Sequence, residues 1–338
     1  MDRFNKFLIS SIVVSVLTLL LLLFVIPQTS VTKETLRSLS NIRLDYLLLA
    51  IAVHVLAWFV WALRIKVMCK GIGSEISFSD SVKVVIPSLF AACITPSKFG
   101  GEPVRVYLLG KNGLSYGDAT AVVIEERLLD ASFMGLLIPI SFFLFKDYYN
   151  MSLFPFFVIA ASIMMLTIIM LMYGIVRPDK MKKFISRCIK RESIVSGVNA
   201  EIDNFHKSIW KFIKEGRKYL LFGFILTVPY WLLDLAVASL ILIGLGLDPM
   251  WIPSFVAQLV LVVITVLPLT PGSSGITEVS MYSLYAMLVE NESLLSVFVL
   301  IWRFVLYYTN LIIGGIVGGA ISLNILRKGG KRDKYAEM

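Results

Sequence analysis

Apolar residues in this chain come in long uninterrupted blocks, not in the alternation of a strand or the i, i+3, i+4 stripe of a soluble helix. Residues 7–26 carry no charge, residues 46–63 are apolar except for His54, and residues 151–176 again carry none. Residues 219–247 contain one charged side chain, Asp234, and residues 293–326 contain one, Arg303. A run of roughly 18 or more such residues is long enough to cross the hydrocarbon core of a bilayer. These five runs, with a sixth at 118–145, predict six spanning helices. Arg3 and Lys6 precede the first run as in a signal peptide, but the run exceeds the ~7–15 residues of a signal core and no cleavage pattern follows, so it is read as a span.

Two further apolar stretches are broken in the middle. Residues 82–111 run from Val84 to Ile94, through TPSKFGGEP, into VRVYLLGK. Residues 251–290 run from Ile252 to Leu269, through TPGSSGITE, into VSMYSLYAML. Each arm of the first stretch is too short for the ~20 residues of a span, and a proline-glycine break cannot continue a helix. A helix–turn–helix that enters and leaves on one side fits both, since non-helical backbone at membrane depth is tolerated only where protein or a water-filled cavity receives it. Two full crossings would leave the rest of the topology unchanged, so both arrangements stay open.

Composition agrees with the hydropathy pattern. Hydrophobic residues make up 57% and charged residues 16% of the chain, against roughly 25% charged in soluble domains. The net charge of +9 resembles a nucleic-acid signal until it is located. Residues 177–218 hold twelve Lys/Arg against five Asp/Glu, and the tail from Arg327 holds five against two. Short basic segments resist translocation and are attracted to anionic lipid, so both belong at the cytoplasmic surface. The expectation is a multi-pass protein of the cell membrane with both termini cytoplasmic, facing anionic lipid and no nucleic acid. In that path the 46–63 helix delivers Arg64, Lys66 and Lys70 to the cytoplasm. Three widely separated cysteines and two histidines give no metal-ligand spacing, and no cofactor is called for.

The two breaks resemble each other. Each has Thr-Pro (Thr95-Pro96, Thr270-Pro271), then glycines, then a glutamate, Glu102 or Glu278, and in both halves an arginine follows 25 residues later, Arg127 or Arg303. The chain therefore divides into a first repeat over 1–150, with two helices, hairpin 82–111 and helix 118–145, and a second over 151–338. The second has two helices joined by the basic cytoplasmic loop 177–218, then hairpin 251–290 and helix 293–326. With one hairpin opening to each side this is an inverted repeat, an architecture that transporters use to build a midplane site.

Ionisable residues inside the bilayer cost several kcal/mol unless paired or hydrated, which makes them candidate site residues. Arg127 shares a helix face with Asp130, as does Glu126. Glu102 with Arg127, and Glu278 with Arg303, could equally be buried ion pairs pinning each hairpin to its helix. The turns Lys98-Phe99-Gly100-Gly101 and Gly272-Ser273-Ser274-Gly275 offer backbone N–H groups to an anion such as a phosphate, or simply permit the bend; Lys98 and Arg105 add positive charge to the first turn alone. Asp234 and His54 read as structural polar residues of the bundle. Gly314, Gly315, Gly318 and Gly319 form overlapping GxxxG patterns that imply close helix packing, with self-association into a homo-oligomer left open.

At these residues the chain resembles a known family. PSKFGGEPVRVYLLGKNGLSYGDATAVVIEERLLD is similar to the first signature of the lysylphosphatidylglycerol synthase transmembrane-region, or flippase-like, membrane proteins, and LPLTPGSSGITEVSMYSLY with the later WRFVLYY to the second. The signatures carry over to Gly101, Glu102, Arg105, Glu126, Arg127 and Asp130, and to Pro271, Gly272, Gly275, Glu278 and Arg303; Ser273-Ser274 stand where the family pattern has adjacent glycines. The resemblance implies lipid translocation. Its multidomain relatives add an aminoacyltransferase or glycosyltransferase domain, and no such segment follows Leu326, so a stand-alone form without lysyl transfer is expected.

Three readings follow: a transporter moving an anionic or phosphate-bearing lipid, or a polyprenyl-linked head group, between leaflets; a membrane-embedded head-group enzyme using Glu125, Glu126 or Asp130 as acid or base; or a non-catalytic partner of a separate synthase.

Overall fold

In the computed structural model the described residues are 42–95, 98–145, 177–188, 192–265, 270 and 272–318, with isolated positions between 158 and 173. The expected span 7–26, most of 151–176, Pro96, Pro271, Gly319 and the basic tail lie outside them. Every regular element among the described residues is helical. In chain order these are α1 (Leu44–Gly71), α2 (Phe78–Ile94), α3 (Gly101–Lys111), α4 (Tyr116–Phe145), α5 (Pro178–Cys188), α6 (Glu192–Lys214), α7 (Arg217–Gly244), α8 (Trp251–Ile264), α9 (Ile276–Tyr285) and α10 (Glu292–Arg303). A single π-helical turn, Phe304–Tyr308, carries α10 onward to Gly318.

Leu44–Gly71, Arg217–Gly244 and Glu292–Gly318 are each long and apolar enough to cross a membrane. Their outward faces are apolar as well as their inward ones: Leu48, Leu56, Phe59 and Leu63 on α1, Leu221, Phe222 and Ile225 on α7, and Ile312 and Ile316 after the π turn are exposed. A helix apolar on all sides belongs in lipid, so the chain is an integral membrane protein that crosses more than once. The expected 118–145 helix is the 30-residue α4, whose charges cluster in its first half.

α1 and α7 pack antiparallel. The Arg43 N–H donates to the Gly244 carbonyl at 2.9 Å at one end, and a Cβ on Gly223 would meet Met68 near the other. Each broken segment is a pair of helices around a non-helical turn, as the sequence suggests. The first pair, α2 and α3, starts seven residues beyond the Gly71 end of α1; Ser77 caps α2 by accepting the Asp80 N–H, and Gly101 lies where a Cβ would be 3.0 Å from the Ser88 carbonyl, drawing the two arms together. The second pair, α8 and α9, starts just beyond the Gly244 end of α7, beside the start of α1. The pairs thus begin at opposite ends of the α1–α7 pair, and their turns meet where the Gly272 N–H donates to the Thr95 carbonyl at 2.9 Å; the Tyr307 hydroxyl of the π turn donates to the Cys93 carbonyl at 3.1 Å.

Apolar packing repeats this division. One core gathers the second half of α1 with α2, α3 and the start of α4; the other gathers α7 to α10 with Phe133, Met134 and Ile138 of α4. The glycine pattern on α10 packs as expected for the described residues, since a Cβ on Gly314 would lie 2.8 Å from Phe90 of α2.

Within residues 177–218, read as a loop from charge alone, lie α5 and α6. Phe205 and Ile209 of α6 pack on Ala121 of α4, the Gly117 N–H donates to Glu201, and Lys211 Nζ donates to the Ile72 carbonyl beyond α1. The lysines of α5 lie outward, and one of them, Lys182, hydrogen-bonds Asp203 and holds that carboxyl below the usual carboxylate range. A charge count cannot see this helix because its apolar stripe is short and matches only the end of the bundle.

Gly272 sits in a tight turn. Its φ is +55°, and a Cβ would lie 2.4 Å from the Tyr307 ring and 2.6 Å from the Cys93 carbonyl oxygen. Gly272→Ala is expected to cost about 1–3 kcal/mol in backbone strain and to lower the thermal midpoint in detergent, whereas Gly113→Ala, whose Cβ would meet nothing within 4 Å, tests positive φ without a clash.

Candidate functional site

Arg64 has no solvent exposure, and neither has Glu126 of α4. The sequence path delivered Arg64 to the cytoplasm with Lys66 and Lys70. Instead it lies with Trp58, Trp61 and Ile65 on the inward stripe of α1, a periodicity that could have found it. Its Nε donates to Glu126 Oε1 at 3.1 Å, and its Nη1 to Asp130 Oδ1 at 2.7 Å and to Thr227 Oγ1 at 3.1 Å. Trp61 Nε1 also donates to Glu126 Oε1 at 3.0 Å and Trp231 Nε1 to Asp130 Oδ1 at 3.0 Å. Arg105 of α3 completes the network, donating to Glu126 Oε2 at 2.9 Å while its guanidinium lies over the Trp61 ring. Glu126 and Asp130 thus hold arginines in place, and the first hairpin is pinned to α4 through Arg105.

The two ion pairs expected from the repeat both form, but they differ. Arg303 Nε contacts Glu278 Oε1 at 2.7 Å, both buried, and Arg303 Nη2 donates to the Gly272 carbonyl at 3.1 Å and to Ser274 Oγ at 2.8 Å. The serine that replaces a family glycine therefore takes a bond from the arginine. In the first half Arg127 Nε is 3.6 Å from Glu102 Oε1 and Nη1 is 3.6 Å from Asp130 Oδ2, with the Arg127 side chain 38% exposed and that of Glu102 31%.

That exposure faces a cavity of about 400 Å³ lined by the first hairpin's turn and, among other residues, by Gln258, Thr265 and Thr277 of the second hairpin. Lys98, Gly101, Glu102, Arg105, Arg127 and Arg303 all line it, with Trp58, Trp61, Tyr230, Trp231 and Trp302 forming much of the wall. Glu126, Asp130 and Glu278 stand behind it. Lys98, at φ +62°, makes no ion pair among the described residues. Trp302 Nε1, Arg127 Nε and Glu102 Oε2 are buried polar atoms without a hydrogen-bond partner. Such atoms at a cavity wall ask for a ligand or water.

The backbone contributes less than the glycines suggested. The N–H of Gly100 is taken by Thr95 Oγ1, that of Gly101 by the Lys98 carbonyl, that of Gly272 by Thr95, and that of Gly275 by Glu278 Oε2. Positive charge in the cavity therefore comes from side chains, with Lys98 and Arg127 the cations not held by a close carboxylate. His54 and Asp234, also on the wall, pair with each other at 3.1 Å.

A family model described as "Lysylphosphatidylglycerol synthase TM region" matches residues 8–314. The chain is 34% identical over 286 residues to a UPF0104 membrane protein of Archaeoglobus fulgidus, covering 81% of this chain and 86% of that one. It is 25% identical over 332 residues to a UPF0104 membrane protein of Methanocaldococcus jannaschii, covering 95% and 98%. It is also 23% identical over 311 residues to one of Pyrococcus horikoshii, covering 84% and 90%.

Removing Arg64 takes a shared cation from two buried carboxylates, leaving Glu126 to Arg105 and Trp61 and Asp130 to Trp231 and the more distant Arg127. Arg64→Leu is expected to destabilise the bundle by about 3–5 kcal/mol and to abolish monodisperse behaviour in gel filtration. The double change Arg64→Leu with Asp130→Asn should recover part of that loss, because it also removes one of the two carboxylate charges.

Proposed function

The chain belongs to the lysylphosphatidylglycerol synthase TM-region family, and from that premise we propose that it moves an anionic or phosphate-bearing lipid head group between leaflets through the cavity lined by its two hairpins. The observation that carries this reading is the composition of the cavity wall. Lys98 makes no ion pair among the described residues and Arg127 only long ones, 3.6 Å to Glu102 and to Asp130, beside unpartnered polar atoms, while aromatic rings supply an apolar surface for the rest of an amphiphile. A phosphate accepts bonds from both a guanidinium and an ammonium.

The layout supports the inverted-repeat part of the same reading. Hairpins from opposite ends, meeting turn to turn beside an antiparallel α1–α7 pair, form the arrangement in which alternate opening exposes one midplane site to each side. With α5 and α6 at the first hairpin's end, the positive-inside rule makes that end cytoplasmic. Six spans, re-entrant hairpins and cytoplasmic termini complete this reading. For the head-group enzyme, Glu126 and Asp130 are engaged by arginines and tryptophans. Glu125 is buried with an unpartnered Oε2 among the described residues, but it does not line the cavity.

In vesicles with fluorescent phosphatidylglycerol, phosphatidylethanolamine or a polyprenyl phosphate, the protein should change the sidedness of at least one. Lys98→Gln and Arg127→Gln should each slow that exchange about tenfold, equivalent to ~1.4 kcal/mol of lost charged contact. No change in any of these lipids would defeat the reading. Single cysteines placed at Glu75 and Asp248, in the connections after α1 and α7, should react with an impermeant maleimide from opposite faces; labelling from one face removes the inverted arrangement.

A further inference from the structure

His54 sits in the cavity wall with a partner on each ring nitrogen. Nδ1 is 3.1 Å from Asp234 Oδ1, and Nε2 is 3.0 Å from Asn310 Oδ1. The Asn310 amide is oriented by its own Nδ2, which donates to the Leu306 carbonyl at 2.6 Å, so Oδ1 faces the ring as an acceptor. Nε2 must then carry a hydrogen. The contact between Nδ1 and the carboxylate oxygen needs a second proton, on one atom or the other. A neutral imidazole with an ionised aspartate supplies only one.

A third contact accommodates the other proton count. Trp58 Nε1 lies 3.3 Å from the same Nε2 and is positioned to donate to it. When Nε2 is bare, the indole N–H satisfies it and the remaining ring hydrogen serves Asp234. Both occupancies thus have hydrogen-bond partners, the condition for a site that takes up and releases a proton without leaving a buried polar atom orphaned.

We propose that His54 and Asp234, with Asn310 and Trp58 as alternating partners of Nε2, form a proton-binding site in the cavity wall. The charged and titratable groups facing it are Lys98, Cys93, Glu102 and Arg105 of the first hairpin, Arg127 of α4, Tyr230 of α7, Arg303 of α10 and Tyr307 of the π turn; the second hairpin contributes only uncharged residues to the wall. The cations oppose an added proton and an anion among them offsets that opposition. By linkage a bound anion and the proton favour each other to the same extent. Release of the proton turns Nε2 toward an oxygen it can no longer bond, so the Asn310 contact opens. Asn310 shares its helix with Arg303, with the π turn between them. The link to an anionic cargo rests on the head-group reading above; the proton site itself does not, and its test reads the ring alone.

The chain has two histidines, so His206→Gln leaves His54 as the sole imidazole. In ¹⁵N-histidine-labelled His206→Gln protein in lipid nanodiscs, Nε2 should carry hydrogen at low pH and lose it as pH rises. Asp234→Asn should move that transition to lower pH by about one unit or more, a tenfold change in proton affinity. Trp58→Phe, which removes the donor to the bare nitrogen, should move it to higher pH. The opposite directions keep the test decisive if one variant does not fold. A ring whose nitrogens keep the same protonation across the pH range of the folded protein overturns the proposal, as does a transition that neither substitution moves.

Discussion

A guanidinium shut inside an apolar bundle has no water to solvate it, and the placement of Arg64 sets the terms for much of what surrounds it. Its burial is tolerable only because Glu126 and Asp130 approach from α4 and Thr227 from α7. Those contacts fix the rotation of three helices about their axes at once. Glu126 has a second oxygen to satisfy, and Arg105 supplies the bond, which brings the first hairpin to the same point. The energy of such a cluster is a small difference between desolvation and attraction, so its main consequence is specificity of arrangement rather than net stability. It holds α1, α4, α7 and α3 in one register, and the cavity is the space that register leaves.

The second half uses a different device for the same end. Arg303 answers Glu278, a backbone carbonyl and a serine hydroxyl, all from the second hairpin, and its guanidinium lies 3.9 Å from the Tyr307 ring centroid. Arg127, which corresponds to it by spacing, has no such close set and faces the cavity. Two arginines at matched sequence positions therefore have different work: one closes a hairpin onto its helix, the other lies open beside Lys98. The inequality foreseen from Lys98 alone extends to the arginines.

The spans on α1, α7 and α10, the two helix breaks and the Glu–Arg pairs were legible because each follows from local sequence: length of an apolar run, a proline beside glycines, a fixed separation. What escaped was set by long-range geometry. Arg64 stands one residue beyond an apolar run and reads as a flanking cation; only the inward stripe of α1 and carboxylates some sixty residues away show it is internal. The His54–Asp234 contact joins residues 180 apart and has no local signal. The backbone donors of the turns looked free because sequence shows the glycines but not the neighbouring hydroxyls and carbonyls that use them.

These allocations sort the charges of the site by what they can do. Carboxylates that bond arginines at 3.1 Å or less, namely Glu126, Asp130 and Glu278, are behind the wall, and the arginines they hold have little capacity left. Charges on the wall with long or no ion pairs, Lys98, Arg127 and Glu102, can reorganise around a guest without breaking a close pair. An excess of one positive charge among those three favours an anion, and the indole and phenol rings beside them favour one attached to something apolar. A free inorganic anion would use the cations and leave the rings idle; a lipid head group near its glycerol or prenyl junction would use both. On the proposed reading, the chemistry of the wall suits an amphiphile better than a simple ion.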